Sequence, residues 1–318
     1  MAKNSKLLLT CGAVAAGLVI GGGTGFLVGH FVKPATVDMS NVDASKYEDK
    51  SDMIELYEKC KEDGKDPVQE FSIAQLSNLG IQKFMAHENV VAWGYGYCDT
   101  AVCLDVRNLL VKNGEECMEE SLSKSVPGSI MNVEVCQRDY QHGSYETDVT
   151  DSNIGKLVSK DKADYSEATH TQYSNSEFEK TFGKGVDNPS CYVVSDKTVL
   201  TSETETKGSS YIEKTETGYK IMLDLDPVKG VSRYYKRMVN LSHCQVNQFF
   251  YVHLTHYYDN DFNIIKTEID ESYHAGMGTI GAAVRGTFET FYFVDTEGFM
   301  IPDLNTAIPY PEKGNLYA

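Results

Sequence analysis

Tryptophan occurs once in 318 residues and proline only eight times. Basic residues are few as well, 29 against 46 acidic ones, which leaves a formal net charge of −17. A chain this acidic repels phosphate backbones and anionic headgroups, so nucleic acid is excluded as a partner. Catalytic signatures are missing too. No GxSxG, HExxH, P-loop or paired-carboxylate spelling occurs, and the chain reads as a non-enzyme. A hydrolase built from residues distant in sequence stays open as an alternative, because triads are spatial rather than sequential. Close cysteine pairs are scarce. Of eight cysteines only Cys98 and Cys103 stand near each other, so a zinc site of the CxxC…CxxC kind is not expected. Those two either bridge the base of a hairpin or stay free like the others. With Cys11 set aside, seven remain, an odd number that leaves at least one thiol without an intrachain partner.

Long apolar runs are absent except for one. Leu7–Val32 holds no Asp, Glu, Lys or Arg. As a helix it would extend about 39 Å, more than the roughly 30 Å of a hydrocarbon core. Lys3 and Lys6 precede it, and the charges after Lys33 are mostly acidic (Asp38, Asp43, Glu48). That bias places the N-terminus in the cytoplasm and the bulk of the chain outside, in the cell envelope. A cleaved signal with Gly23-Thr24-Gly25 as its processing site is the rival. The apolar run resumes at Phe26-Leu27-Val28, which favours a retained signal anchor crossing the bilayer through residues 7–32. Ala13, Gly17, Gly21, Gly25 and Gly29 recur every fourth residue. Such a stripe lets a second helix approach closely, so self-association through the anchor is expected.

Behind a polar linker (34–51) the pattern is helical, then strand-like. Ile54, Leu56, Tyr57 and Cys60 mark a helix over 53–61 that Asp63-Gly64 stops. Ser72 caps a second, whose stripe runs through Ile73, Leu76, Leu79, Gly80, Phe84 and Met85 to His87. From Asn89 the period becomes two. Val91, Trp93, Tyr95 and Tyr97 form an aromatic face opposite Ala92, Gly94 and Gly96, and the bare glycines admit a closely packed element. Strands follow over 102–107, 117–123, 133–140 and 145–149, with Asn113-Gly114 as a hairpin signal. A loop over 151–171 and a helix over 174–182 come next, then strands over 191–203, 209–215 and 219–225. Asp226-Pro227 opens another helix, followed by a hairpin (249–258, 264–273) and a last strand (286–294).

The chain is therefore expected to be α+β: a transmembrane anchor (1–33), then one extracytoplasmic domain over 52–298, or two halves at 52–150 and 171–298, then an irregular tail from 299 to 318. A large curved antiparallel sheet, a half-barrel, carries a few helices on one face.

Three spellings invite chemistry and fail on context. Gly276-Met-Gly278-Thr-Ile-Gly281 matches a dinucleotide fingerprint, but an amphipathic strand precedes it and a β-rich run follows. Asp259, Asp261 and Asn263 resemble an EF-hand loop, yet Ile264 stands where glycine is needed, so a hairpin turn is the better reading. His253 and His256 lie three apart on a strand and point to opposite faces, although His243, His253 and His274 could converge in the fold. No metal or cofactor is expected.

The ordering of membrane signal, leading helix, aromatic-rich meander, embedded helix and return hairpin resembles the LolA/LppX-type lipoprotein-carrier fold. The stretches that carry the likeness are Asn89–Ser123 and Gly218–Phe293, with Leu223-Asp-Leu-Asp-Pro227 ahead of a Tyr-rich helix. The chain is also similar to membrane-anchored surface proteins of Gram-positive gut bacteria. The likeness spans about two-thirds of the chain and rests on layout alone, so no functional residue transfers. It implies an apolar ligand, often a lipid chain, cupped between a curved half-barrel and its helices. A retained anchor and the number of cysteines depart from that family. The function expected is that of a membrane-anchored, lipid-binding protein, with Trp93, Tyr95 and Tyr97 as candidate walls. A structural or docking protein of the envelope is the alternative.

Overall fold

The computed structural model describes residues 51–99, 103–114, 116–126, 134–142, 146–151, 169–174, 209–229, 245–277 and 280–296. The expected anchor with its glycine stripe (Gly17, Gly21, Gly25, Gly29), the stretch up to residue 50 and the tail lie outside them. Among the described residues no helix is long and apolar enough to cross a membrane.

Two helices of useful length form where their caps predict. Helix α1 (Met53–Glu62) starts at Asp52, whose carboxylate accepts from the Ile54 and Glu55 amides. Beyond its end Gly64 takes φ +67°, a left-handed conformation that costs glycine little. A short α2 (Pro67–Glu70), capped by Asp66, was not anticipated. Helix α3 (Ile73–Ala86) opens with a reciprocal capping box between Ser72 and Gln75, which satisfies two otherwise orphaned amides. Gln82 ties the two longer helices together. Its Oε1 accepts from the Met53 amide at 2.8 Å and its Nε2 donates to the Ser51 carbonyl at 3.0 Å.

Among the described residues, eleven strands belong to one antiparallel sheet. They are β1 (Asn89–Asp99), β2 (Leu104–Asn113), β3 (Glu116–Ser125), β4 (Glu134–His142), β5 (Glu146–Asp151), β6 (Thr169–Ser174), β7 (Tyr211–Lys214), β8 (Gly218–Leu225), β9 (Gln245–Asp259), β10 (Ile264–Met277) and β11 (Ile280–Val294). Their order is β6-β5-β4-β3-β2-β1-β11-β10-β9-β8-β7. The chain meanders outward from β1 to β6, resumes at the opposite edge with β7, and returns inward until β11 pairs with β1. Both sequence meanders thus share a single sheet, joined by the ladder from Val90↔Val294 to Asp99↔Arg285. A sheet this wide does not stay flat, because strand twist accumulates across it.

Strands β2 and β6 differ from the expectation. β2 runs on to Asn113 because Leu109, Leu110 and Val111 are all buried, which erases the alternation that marks a half-exposed strand. Thr169–Ser174 pairs with β5, in a stretch that reads as loop and helix start. The rest of the helix expected over 174–182 lies outside the described residues, as do the strand expected over 191–203 and the body of the helix expected after Pro227. Asp226 Oδ1 accepts from the Val228 and Lys229 amides at 2.9 and 2.8 Å in a turn over 227–229. Gly276 pairs with Gly281 and Met277 with Ile280 where β10 and β11 meet, and Gly278 lies outside the described residues. Gly276 and Gly281 are thus strand residues, with no helix after them as a dinucleotide fingerprint needs.

The described helices pack on one face. There Met53, Tyr57, Leu76, Leu79 and Phe84 meet Ala92, Leu110, Ile221, Leu254 and Tyr292 in one core. The β9–β10 turn is folded under them. Asp259 Oδ1 accepts from the Asp261 and Asn263 amides and Oδ2 from the Asn263 side chain. Its carboxylate is consumed in holding the turn, so the calcium spelling is a hairpin. Phe262 then turns inward at φ 60° and is 1% exposed.

Candidate functional site

On the face away from α1 and α3, the odd-numbered side chains of β1 make a second cluster. Val91 and Trp93 pack with Leu109, Val111 and Met118, and Tyr95, Phe291 and Phe293 lean against them. Trp93 stands opposite Phe291, with ring centroids 6.2 Å apart, and Tyr95 continues the stack 6.4 Å from Phe291. Trp93 is only 2% exposed, so its ring is core within this fold. Tyr97, at 38%, reaches solvent at the far end of the ladder, where it hydrogen-bonds Cys103. The three candidate wall residues are thus brought together, but on the sheet face opposite the one the helices cover. The resemblance calls for the helix side.

The bare face of β1 admits a close neighbour, as its glycines imply. A Cβ on Gly96 would lie 2.1 Å from Phe288 Cδ1, so the Phe288 ring rests on the Gly96 backbone. This is the helix-side face.

Sequence reasoning missed what else lies there. His256 on β9 is opposite Thr267 on β10, Thr267 opposite Thr290 on β11, Thr290 opposite Gly94, and Gly94 opposite Asn108 on β2. All four side chains in this row are 0% exposed. At the spacing of neighbouring strands the row extends about 19 Å across the sheet. Part of it is hydrogen-bonded. His256 Nδ1 lies 3.0 Å from Thr267 Oγ1, and that oxygen lies 2.9 Å from the Tyr292 hydroxyl. Tyr292 meets Phe84 of α3 edge to face at 5.0 Å.

The rest of the row is not satisfied. Among the described residues, His256 Nε2, Thr290 Oγ1 and both amide atoms of Asn108 are buried with no hydrogen-bond partner. Each such atom costs about 1–3 kcal/mol relative to a satisfied one. Folded proteins keep these exceptions few. Burial alone holds the His256 imidazole down to about 3, so the ring is neutral and offers one donor or one acceptor at Nε2 rather than a charge.

One acidic group shares this face. Glu271 on β10 is 0% exposed and stands opposite Gly286, with Cys98 on the glycine's other side. A Cβ on Gly286 would come 3.0 Å from Glu271 Oε1, so the carboxyl overlies the glycine. Burial first, then the Glu271 charge, push the Cys98 thiol up to about 12, against a hydrogen bond from Tyr273. Cys98 is therefore a protonated, inert thiol at neutral pH. It is a free thiol, as is Cys60, and Cys103 Sγ donates to Asp99 Oδ1 at 3.7 Å.

Among the described residues His253 and His256 lie on opposite faces of β9, as their spacing implies. His253 pairs with Asp224 on the outer face at 3.6 Å, while His256 points inward, and His243 lies outside the described residues. Burial lowers the pKa of His274. Among the described residues no group of three metal-ligating side chains exists.

No family model matches the chain, and no curated protein matches it. Among solved structures, one similar fold is the N-terminal β-barrel domain of Pseudomonas aeruginosa OprF. It covers 65% of this chain and 99% of that one at 7% identity, with a TM-score of 0.22. A likeness that weak carries no argument about fold or function.

Proposed function

We propose that this chain is a membrane-anchored, extracytoplasmic, non-enzymatic binding protein that holds a lipid or another apolar ligand against the helix-side face of its sheet. The observation that carries the reading is the row of buried polar groups on that face. His256, Thr290 and Asn108 retain hydrogen-bonding capacity that no described residue meets, beside a large apolar core. A ligand placed there gains those bonds and adds apolar burial. The open antiparallel sheet with helices on one face, and the resemblance to lipoprotein carriers, support the same reading.

Photolabelling tests the location. The full chain in detergent micelles is loaded with a lipid carrying a diazirine at mid-chain, irradiated, digested and mapped by mass spectrometry. Labels are expected on helix-side residues such as Val106, Ile269 and Phe288. Labels confined to Tyr95, Tyr97 and Phe293 would move the site to the outer aromatic face and contradict the proposal as stated.

A further inference from the structure

We propose that Asn108 and Thr290, set on either side of Gly94 in the buried row, bind the uncharged polar group of an amphipathic ligand, a hydroxyl, ester or amide. This rests on the helix-side reading above and names the class of ligand. Gly94 is opposite Thr290 on one side and Asn108 on the other, and it puts no side chain between them. The two flanking groups are fully buried. Among the described residues, the Thr290 hydroxyl and both ends of the Asn108 carboxamide have no partner.

The chemistry of those atoms selects the ligand. A carboxamide gives and takes hydrogen bonds, and so does a hydroxyl. Their complement is a group that also does both, or a neutral pair such as an ester beside a hydroxyl. A carboxylate or phosphate only accepts. It would leave Asn108 Oδ1 unmet and bring a charge to a row that holds no lysine or arginine. An ammonium only donates, and would leave Asn108 Nδ2 unmet. His256 Nε2, at the end of the row, extends the same neutral character. These atoms are sealed from solvent, so the ligand reaches them only when the chain parts above the sheet.

The test uses the full chain in detergent micelles, incubated with radiolabelled 1-monooleoylglycerol or with oleate and separated by gel filtration. Monooleoylglycerol should coelute with the protein, and oleate should be retained about tenfold less. Asn108→Leu and Thr290→Val match the replaced side chains closely in shape. Each should lower monooleoylglycerol retention about tenfold and leave the thermal midpoint unchanged or raised. Equal retention of the two probes, or unaltered retention in both variants, overturns the assignment and leaves the apolar-ligand reading standing. Variants that unfold as they lose the probe mark the two groups as structural and overturn it as well. Retention of neither probe above protein-free micelles overturns the assignment and the reading on which it rests.

Discussion

Replacing Phe262 with alanine should destabilise the folded domain by about 3–5 kcal/mol, the range for losing a fully buried aromatic ring. The ring is the point where three elements meet. It stacks on Tyr219 of β8 at 4.5 Å and 9°, meets Tyr57 of α1 edge-on at 6.1 Å, and tilts against Tyr258 of β9 at 6.0 Å. The backbone there is held at φ 60°, which costs a side-chain-bearing residue about 1–2 kcal/mol. Only good packing of the ring sustains that strain. Phe262→Gly loses the ring but relieves the backbone, so it should be no less stable than Phe262→Ala. Urea denaturation of both variants beside the parent chain reads the difference. A loss below about 1 kcal/mol for alanine would mean that the turn does not anchor α1 to the sheet.

Gly218→Ala should cost about 3 kcal/mol, at the upper end of what overpacking does. A Cβ at that position would lie 1.9 Å from the Tyr258 carbonyl oxygen and 2.6 Å from the Asp259 carbonyl carbon. Both are backbone atoms, so no rotamer change relieves the clash. The β8–β9 ladder, which begins at Gly218↔Asp259, would have to shift. It is also clamped from the other side, where Thr215 Oγ1 accepts from the Gly218 amide at 3.0 Å. Gly114 is the control. It has φ +60° and nothing within 4 Å of an added Cβ, so Gly114→Ala should cost only the backbone strain, about 1 kcal/mol. Similar losses at the two positions would contradict the close approach of β8 to β9.

Local features of this fold were legible because local physics decides them. The Ser72 cap, the stop at Gly64, the Asn113-Gly114 turn and the period of two in β1 and β8 all depend on residues a few positions apart. The β1–β11 ladder was not legible, because nothing near Trp93 names Phe291 as its neighbour 198 positions later. Alternation left open which side of the sheet the aromatics take. It separated the two faces of β1 correctly but could not say which one the helices would cover, and they cover the glycine face. The polar row left a trace that went unread. Asn108 shares parity with Leu104 and Val106, Thr267 with Ile269, and Thr290 with Phe288 and Tyr292. A polar residue in step with an apolar face signals a buried group, and register alone assembles such groups into a row.

Binding of an apolar ligand by the folded domain is the central claim, and native mass spectrometry of the full chain tests it most directly. Released gently from detergent micelles, the protein should carry a lipid-sized adduct at about one per chain, reduced when the buried row is made apolar by Asn108→Leu. A chain that emerges empty from every preparation, with or without added lipid, would contradict it.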